Sequence, residues 1–318
     1  MFINNKPIPF KDYRLSHPGI KENVFKNIYS FIQKNALWKP QILLRYSKAY
    51  AIYTLFLRRA FHLRFVITGI PKCGTTWVAK MFESVPFVHI EHEGTELKNE
   101  LRKRLFDNPS FDFNDPIVSE YLLLFKRQIL KNALLNDKSF IGDKTPHMLP
   151  EPVKKAFPNA RIIFLYRDGR DYVISHTFHR MKKNIIVGDP NDGDFWDERI
   201  RQFAPFWNNM VTDVRLRYLD LFGDDFLELR YEDLLTNGVA YVEKMMQFVG
   251  INPSFASPAW DSARFEKFSK GRSRGHEDRR SFYRKGIAGD WKNYFSPKNL
   301  ETFLAITGDT LTELNYKI

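Results

Sequence analysis

The stretch FVITGIPKCGTTW, residues 65–77, determines how the rest of the chain is interpreted. Its first residues, Phe65–Thr68, are aromatic or β-branched and predict a buried strand. Gly69 and Gly74 bracket a tight turn, and the apolar periodicity of Trp77–Phe82 predicts a helix. In a strand, glycine-rich loop and helix of this kind, the loop N–H groups and the helix N-terminus point at one place and stabilise an anion there. The stretch therefore predicts a phosphate-binding loop.

The position of the lysine distinguishes this loop from an ordinary nucleotide-binding P-loop. The spacing from Gly69 to Gly74 matches, but a P-loop continues with Lys and then Ser or Thr. Here Thr75 and Thr76 follow Gly74, and the lysine is Lys72. This counts against an ordinary ATPase, whose lysine reaches the terminal phosphates beside Mg²⁺. A plain strand, turn and helix with a chance pair of glycines remains an alternative.

The composition limits the class of protein. The chain has 318 residues, enough for one large α/β domain, and a formal charge of +12 that implies an anionic partner. Its single cysteine rules out an internal disulfide and fits a reducing compartment, so we expect a cytoplasmic protein. No cluster of His and Cys has zinc-site spacing, and we expect no metal.

Residues 1–60 are expected to form an N-terminal arm, mostly helical from Ile20 to Phe61, ahead of a single domain over residues 61–318. The beginning of the chain lacks an apolar signal segment. The apolar run Ala49–Leu57 is shorter than the ~20 residues needed to cross a membrane. Basic residues flank this run, so a weak contact with a membrane surface stays open beside the favoured interpretation, a solvated basic helix.

Strands and helices alternate along the chain, which predicts a parallel sheet covered by helices on both faces. Besides Phe65–Thr68, the predicted strands are Pro86–Ile90, Phe140–Gly142, Ala160–Tyr166 and Phe226–Arg230. Besides Trp77–Phe82, helices are predicted over Pro116–Asn136, Pro150–Phe157, Phe195–Phe222 and Leu234–Val249, from Asp171, and from Pro297. In such sheets, ligands bind beyond the carboxyl ends of the strands.

A second motif, YRDGRDYVIS, follows the clearest of these strands. Arg167 lies at the end of the strand and Ser175 on the next helix, so the guanidinium and the hydroxyl can bind a phosphate together. An ion pair of Arg167 with Asp168 or Asp171 is the alternative explanation.

A third motif, RKGIAGDWKN, begins at Arg284 and Lys285. A solvated basic loop would explain its charge. It would not explain the spacing of Gly286 and Gly289, or the presence of Trp291.

The three motifs, in this order, resemble those of sulfotransferases that use 3′-phosphoadenosine 5′-phosphosulfate (PAPS). Residues 71–77 are similar to the family's 5′-phosphosulfate loop, although the family usually has Ser where this chain has Cys73. The resemblance implies a P-loop-type α/β domain with PAPS as co-substrate. The residues that would hold PAPS are Lys72, Gly74, Thr75 and Thr76 at its 5′ end, Arg167, Ser175, Arg284, Lys285 and Gly286 at its 3′-phosphate, and Trp77, Tyr231 and Phe265 at its adenine. Each of the three aromatic residues is equally consistent with a core position.

The resemblance also implies a catalytic lysine and a general base. Lys72 would meet the bridging oxygen as negative charge develops on the departing bisphosphate. His147, in the segment KTPH, resembles the base of cytosolic members, but Pro146 interrupts the family's Lys-Thr-His order. Glu93 lies where carbohydrate and tyrosyl-protein members keep a glutamate. Both residues remain candidates for the base.

The acceptor is expected to be a small molecule, lipid or glycan, and no nucleic acid is expected as a partner. A P-loop kinase or ATPase, and a nucleic-acid-binding protein that uses the basic loop at 267–285, are the alternatives. The family's dimer motif would fall at Lys292, Ser296–Pro297 and Glu301, where Ser-Pro replaces its Thr-Val pair. We therefore expect a monomer or an atypical dimer.

Overall fold

The structure, a computed structural model, describes residues 64–92, 138, 140–146 and 149–318, together with two short strands near the N-terminus. The chain divides into two compact units, Met1–Ala60 and Phe61–Ile318. In the first unit, Phe2–Ile3 and Lys6–Pro7 pair as antiparallel strands. The helices predicted over residues 20–61 and 116–136 and the loop expected at 97–115 lie outside the described residues.

Five parallel strands form the central sheet of the second unit, which confirms the predicted sheet. In chain order they are β1 (Phe65–Gly69), β2 (Val88–His92), β3 (Phe140–Lys144), β4 (Arg161–Tyr166) and β5 (Phe226–Arg230). Their spatial order is β2–β3–β1–β4–β5. Every residue of β1 is buried, because this central strand has a neighbour on each side and helices above and below.

The helices follow the predicted alternation. They are α1 (Thr75–Glu83), α2 (Pro150–Ala156), α3 (Gly169–Lys182), α4 (Gly193–Asn209), α5 (Arg215–Phe222), α6 (Tyr231–Thr236), α7 (Gly238–Val249), α8 (Ala256–Ser262), α9 (Phe265–Phe268), α10 (Pro297–Thr307) and α11 (Thr310–Glu313). A π-helical turn, Met210–Val214, joins α4 to α5, so the long helix predicted over 195–222 is continuous. Short 3₁₀ turns occur at Gly223–Asp225, Pro253–Phe255 and Asp290–Asn293. Among the described helices, none is long and apolar enough to cross a membrane.

Helices cover both faces of the sheet. Phe65 of β1 packs against Phe82 of α1, with ring centroids 4.7 Å apart. Phe164 of β4 packs against Tyr218 of α5 at 5.7 Å. Phe65 is in register with Arg161, three residues before Phe164, so the two phenylalanines point to opposite faces. The predicted two-sided packing is therefore confirmed.

The topology creates a crevice beyond the carboxyl ends of β1 and β4. From β1 the chain crosses toward β2 at one edge of the sheet, and from β4 it crosses toward β5 at the other. Neighbouring strands whose connections leave in opposite directions mark the usual ligand site of an open parallel sheet. The glycine-rich loop follows β1 and Arg167 follows β4, so the first two motifs lie at this crevice.

Two strands end later than predicted. β2 continues through Glu91 and His92, and β3 continues through Lys144. Because these residues are polar, the sequence predicted that each strand would end before them. In the structure, Glu91 and His92 are in parallel register with Asp143 and Lys144. The neighbouring strand satisfies their backbone groups, and this tertiary pairing overrides the local polarity.

One further element differs from the prediction, whereas α10 begins at Pro297 as predicted. The helix predicted over 234–249 is two helices, α6 and α7, separated at Asn237. At the start of α10, Ser296 caps the helix in a capping box with Asn299, and Pro297 occupies the first turn. The Ser-Pro pair at the expected dimer motif therefore has a local role in starting a helix. A monomer or an atypical dimer stays a prediction.

We predict that Gly69→Ala strongly destabilises the domain. Gly69 has φ +123°, and a Cβ there would lie 2.0 Å from the backbone oxygen of Leu165 in β4. The methyl group would have to separate the two central strands, so we expect a loss of at least about 2 kcal/mol in the free energy of unfolding. Urea denaturation followed by circular dichroism measures this change.

Gly193→Ala is the matched control, because a Cβ on this first residue of α4 would meet no atom within 4 Å. A loss of stability no larger in Gly69→Ala than in Gly193→Ala would contradict the packing described for β1 and β4.

Candidate active site

A pocket of about 530 Å³ occupies the crevice at the carboxyl ends of β1 and β4. It is lined by all twelve residues that the resemblance assigned to the donor, namely Lys72, Gly74, Thr75, Thr76, Trp77, Arg167, Ser175, Tyr231, Phe265, Arg284, Lys285 and Gly286. These residues come from segments far apart in the sequence. The structure thus brings them together, while their role in binding stays a prediction.

The glycine-rich loop leads directly into α1. Gly74, with φ +98°, is the N-cap of α1, and no side chain caps the helix. A Cβ on Gly74 would lie 3.0 Å from the ring of Tyr231, so the loop backbone rests against this ring. Lys72 also has a positive φ, +64°. The first N–H groups of α1 remain available to an anion in the pocket.

Cys73 does the structural work of the serine that is usual in the family. It is fully buried, and its Sγ donates to the backbone oxygens of Ile70 and Leu165. Burial raises the pKa of the thiol to about 12, so the group is neutral and unreactive near pH 7. A serine hydroxyl makes the same kind of donation, which explains why either residue suits this position.

Arg167 both forms an ion pair and lines the pocket. Its Nη2 lies 3.0 Å from Oδ2 of Asp171, its Nη1 donates to the backbone oxygen of Lys72 at 3.3 Å, and its guanidinium lies 4.6 Å from the ring centroid of Tyr231. Asp168 instead pairs with Arg170 at 2.7 Å and caps α3. The pairing that sequence analysis offered as an alternative is therefore present, and it is compatible with a phosphate site.

Asp171 connects the second motif to the third. Besides Arg167, its carboxylate accepts hydrogen bonds from the backbone N–H groups of Gly289 at 2.7 Å and Trp291 at 2.9 Å. These contacts hold the Arg284–Trp291 segment against the N-terminal turn of α3. This segment lines the pocket through Arg284, Lys285 and Gly286.

The third motif is not a solvated basic loop. The side chains of Arg284 and Lys285 are only 14% and 16% exposed, and both pair with the buried Asp290. Although burial raises the pKa of Asp290, Arg284 and Lys285 lower it below its ordinary value. Gly286 has φ +70°, and a Cβ there would lie 2.6 Å from the ring of Phe265. The glycine is thus needed where the chain passes this ring.

The aromatic side chains are packed in the core and also line the pocket. Trp77 donates from Nε1 to the backbone oxygen of Ala263 at 2.6 Å, and its ring lies 5.9 Å from that of Tyr231. Trp77 and Phe265 are both more than nine-tenths buried, yet both line the pocket. The guanidinium of Arg274 lies 5.3 Å from the Trp77 ring. Sequence analysis missed Arg274, because nothing local separates one arginine from its neighbours in a basic loop.

The ammonium of Lys72 lies against a histidine and a phenyl ring. Its Nζ is 3.4 Å from Nδ1 of His179 and 4.1 Å from the ring centroid of Phe282. Burial, and next the charge of Lys72, lower the pKa of His179 to about 4. The imidazole is therefore neutral near pH 7 and accepts from the ammonium.

Sequence analysis also missed His179, Arg180 and Lys183, which line the pocket from the end of α3. One signal was available for His179, since residues four apart share a helix face and His179 follows Ser175 by four.

The two candidate bases, Glu93 and His147, lie outside the described residues. Their nearest described neighbours are His92, the last residue of β2, and Pro146, which follows the adjacent strand β3. β2 ends at His92, directly before Glu93, and Pro146, directly before His147, lines the pocket. The choice between the two residues stays open.

The sequence of this chain matches the family model of the sulfotransferase domain over residues 63–315. A flavonol sulfotransferase-like protein of Flaveria bidentis is 25% identical over 268 residues, which cover 77% of this chain and 81% of that protein. Cytosolic sulfotransferase 1 of Danio rerio is also 25% identical, over 259 residues that cover 75% and 79% of the two chains.

Two solved structures share the fold. Mouse sulfotransferase SULT7A1, complexed with PAP, superposes with a TM-score of 0.54 at 21% identity, covering 79% of this chain and 84% of that one. Retinol dehydratase, in complex with androsterone and the inactive cofactor PAP, gives 0.53 at 18% identity, with 82% and 84% covered. With the domain match over most of its length, this chain belongs to the sulfotransferase family.

Proposed function

We propose that this protein transfers a sulfuryl group from PAPS to a hydroxyl or amine of an acceptor molecule. The observation that carries the proposal is the single pocket lined by all twelve residues that the three motifs supply for PAPS. A related mouse sulfotransferase is described in complex with PAP, the 3′,5′-bisphosphate that such a transfer leaves behind. The relatives named cytosolic sulfotransferases and the single cysteine support a cytoplasmic location.

The chemistry of the pocket fits a polyanionic donor. Lysine and arginine line its donor side at positions 72, 167, 274, 284 and 285, and no Asp or Glu is among the described residues that line the pocket. The uncapped N-terminus of α1 adds backbone N–H donors. Phosphate and sulfate groups favour such a combination of guanidinium, ammonium and N–H groups.

The donor, when bound, supplies the sulfuryl group and a bisphosphate leaving group. Thr75 and Thr76 donate with the loop N–H groups to the 5′-phosphate, and Arg167, Ser175 and Lys285 bind the 3′-phosphate. In the transfer, a bond forms from the acceptor oxygen or nitrogen to sulfur, and the bond from sulfur to the bridging oxygen breaks. The ammonium of Lys72 stabilises the charge that develops on this oxygen, an effect that matters most in a site shielded from water.

A general base removes the proton from the acceptor. His147 and Glu93 are the candidates. His147 follows β3, the neighbour of β1, and Glu93 follows β2, the next strand outward in the sheet. A neutral imidazole near pH 7 suits this task. A carboxylate whose pKa is raised by a shielded site also suits it.

The alternative functions are less well supported. A P-loop kinase or ATPase would use its lysine beside Mg²⁺, whereas Lys72 precedes Gly74 and lies against His179. A nucleic-acid-binding loop would present solvated cations, whereas Arg284 and Lys285 pair with Asp290. The acceptor is proposed to be a small molecule, as in the relatives named flavonol sulfotransferases, with a lipid or glycan as the wider alternatives.

We predict that the protein binds 3′,5′-adenosine bisphosphate (PAP) at least about 10-fold more tightly than 5′-AMP, because charged hydrogen bonds to a phosphate contribute about 1.5–3 kcal/mol each. Isothermal titration calorimetry measures both affinities, with ATP and Mg²⁺ as a third ligand. Arg167→Ala should reduce the affinity for PAP much more than that for 5′-AMP. Equal affinities for PAP and 5′-AMP, or preferred binding of ATP with Mg²⁺, would overturn the proposed function.

Arg167→Ala can also disturb folding, because Arg167 is buried against Asp171. A second substitution in the pocket therefore accompanies this test. Lys285→Gln removes a pocket cation, while Lys292→Gln removes an exposed lysine of the same segment that does not line the pocket. Only Lys285→Gln should weaken PAP binding.

We predict that Lys72→Met lowers kcat by at least about 100-fold, the usual effect of losing one group that stabilises transition-state charge. The affinity for PAP should fall by less than about 10-fold, because other donors hold the phosphates. Sulfation assays with radiolabelled PAPS measure kcat. Lys80→Met is the control, because it changes a half-buried lysine of α1 that pairs with Glu83 and does not line the pocket. Equal kcat in the two variants would remove Lys72 from the mechanism.

We predict that His147→Ala lowers kcat at least about 100-fold through loss of a general base. The same assay applied to Glu93→Gln identifies the alternative. Near-normal turnover in His147→Ala with a large loss in Glu93→Gln would assign the role to Glu93. Near-normal turnover in both variants would exclude both residues.

A further inference from the structure

The pocket extends beyond the residues assigned to the donor. The end of α3 and the residues after it contribute His179, Arg180, Lys183 and Ile185 to its wall. Phe282 adjoins this region, since it contacts both Lys72 and His179. We call these five residues the α3-end wall. It adjoins the ammonium of Lys72, next to which the proposed sulfuryl transfer takes place.

The α3-end wall is separate from the proposed 3′-phosphate site. Lys183 follows Ser175 by eight positions, about 12 Å along a helix. That distance is too long for Lys183 to bind the phosphate that Ser175 binds. Lys183 therefore lies away from the proposed 3′-phosphate site. Because His179 and Phe282 of the wall contact Lys72, we assign the wall to the acceptor side of the pocket.

The cations of this wall differ from those of the donor site in their partners. Arg167 is neutralised by Asp171, and Arg284 and Lys285 by Asp290. Arg180 and Lys183, by contrast, form no ion pair with any residue that the structure describes. The Nε of Arg180 is buried and has no hydrogen-bond partner within that part of the chain. A ligand anion that pairs with the guanidinium of Arg180 would offset a charge that no described residue neutralises.

Several cations surround His179 at this wall. After burial, the causes that lower the pKa of His179 to about 4 are the charges of Lys72, Lys183, Lys182 and Arg180. An imidazole that resists protonation among these cations marks a region of positive potential. The same potential attracts an anion and repels a cation.

The wall also offers apolar surface. Phe282 is 46% exposed and Ile185 is 55% exposed, and both line the pocket. Ligand pockets combine apolar contacts of this kind with a few charged groups that fix orientation. A flat or apolar frame that carries a negative charge would satisfy both features.

We infer that the acceptor is an organic anion, an apolar or aromatic alcohol that carries its own carboxylate, sulfate or phosphate group. Arg180 and Lys183 bind this group, and Phe282 and Ile185 contact the apolar frame. A neutral acceptor would leave the charge of Arg180 without an ion-pair partner among the residues that the structure describes, so the wall selects against it. The inference rests on the proposed function, because it assigns the acceptor side of the same pocket.

A matched pair of ligands tests the inference. The probes are 6-hydroxy-2-naphthoate and 2-naphthol, the same aromatic alcohol with and without a carboxylate. Their binding to the PAP-saturated protein is measured by fluorescence quenching and calorimetry. We expect the naphthoate to bind at least about 10-fold more tightly, a difference of about 1.4 kcal/mol. This preference should shrink as salt is raised, since ions screen the partly exposed cations.

Variants of the wall provide the decisive comparison. Arg180→Gln/Lys183→Gln should reduce the preference to under about 3-fold, while binding of 2-naphthol and PAP is retained. Lys244→Gln/Lys298→Gln makes the same change in net charge at exposed lysines that do not line the pocket and should keep the preference. Lys183→Gln alone changes an exposed side chain. It should give an intermediate preference even if loss of Arg180 disturbs folding.

The outcomes separate the inference from the function on which it rests. Equal binding of the two probes, no measurable binding of the naphthoate, or an equal loss in the control variant would overturn the anionic acceptor. In each of these cases PAP would still bind more tightly than 5′-AMP. A protein that does not prefer PAP to 5′-AMP would instead overturn the proposed function itself.

Discussion

The buried carboxylate of Asp171 is the constraint on which the site depends. Its side chain has no exposed surface, and a carboxylate removed from water is stable only when several donors compensate it. The donors are the guanidinium of Arg167 and the backbone N–H groups of Gly289 and Trp291. The end of β4 and the C-terminal basic segment therefore have to meet at α3. One desolvated charge thus brings two distant motifs to the same side of the pocket.

The acidic partners also determine how the cations are presented. Asp171 and Asp290 hold Arg167, Arg284 and Lys285 in place, yet neither carboxylate lines the pocket. The cations are fixed before any ligand arrives, which reduces the ordering cost of binding. Their positive charge remains available to the pocket because the carboxylates lie behind them. An excess of lysine and arginine without these acidic partners would attract an anion but would not hold the cations in fixed positions.

Most features that depend on neighbouring residues were predicted correctly, whereas several that depend on residues remote in sequence were not. The turn at Gly69 and Gly74, the strand before it and α1 depend on neighbouring residues, and they were predicted correctly. The ends of β2 and β3 were predicted too early, because backbone pairing between these strands extends into polar residues. Arg274 and Arg180 were missed, because their place in the pocket depends on how a loop and a helix pack against the sheet. The family assignment needed only the order of three motifs and is confirmed by the match over residues 63–315.

By itself, the sequence determined the parallel α/β fold, because backbone propensity and hydrophobic periodicity are local. Three motifs indicated the family by resemblance, and anion binding by the glycine-rich loop stays a prediction. Only the tertiary structure decided that the ion pair of Arg167 and its place in the pocket coexist, that Arg284 and Lys285 are paired and not solvated, and that the end of α3 adds cations beside Lys72. The physical reason is that the geometry of a pocket depends on the distances between residues that are remote in sequence. Strand order and buried ion pairs set those distances, and no local pattern encodes them.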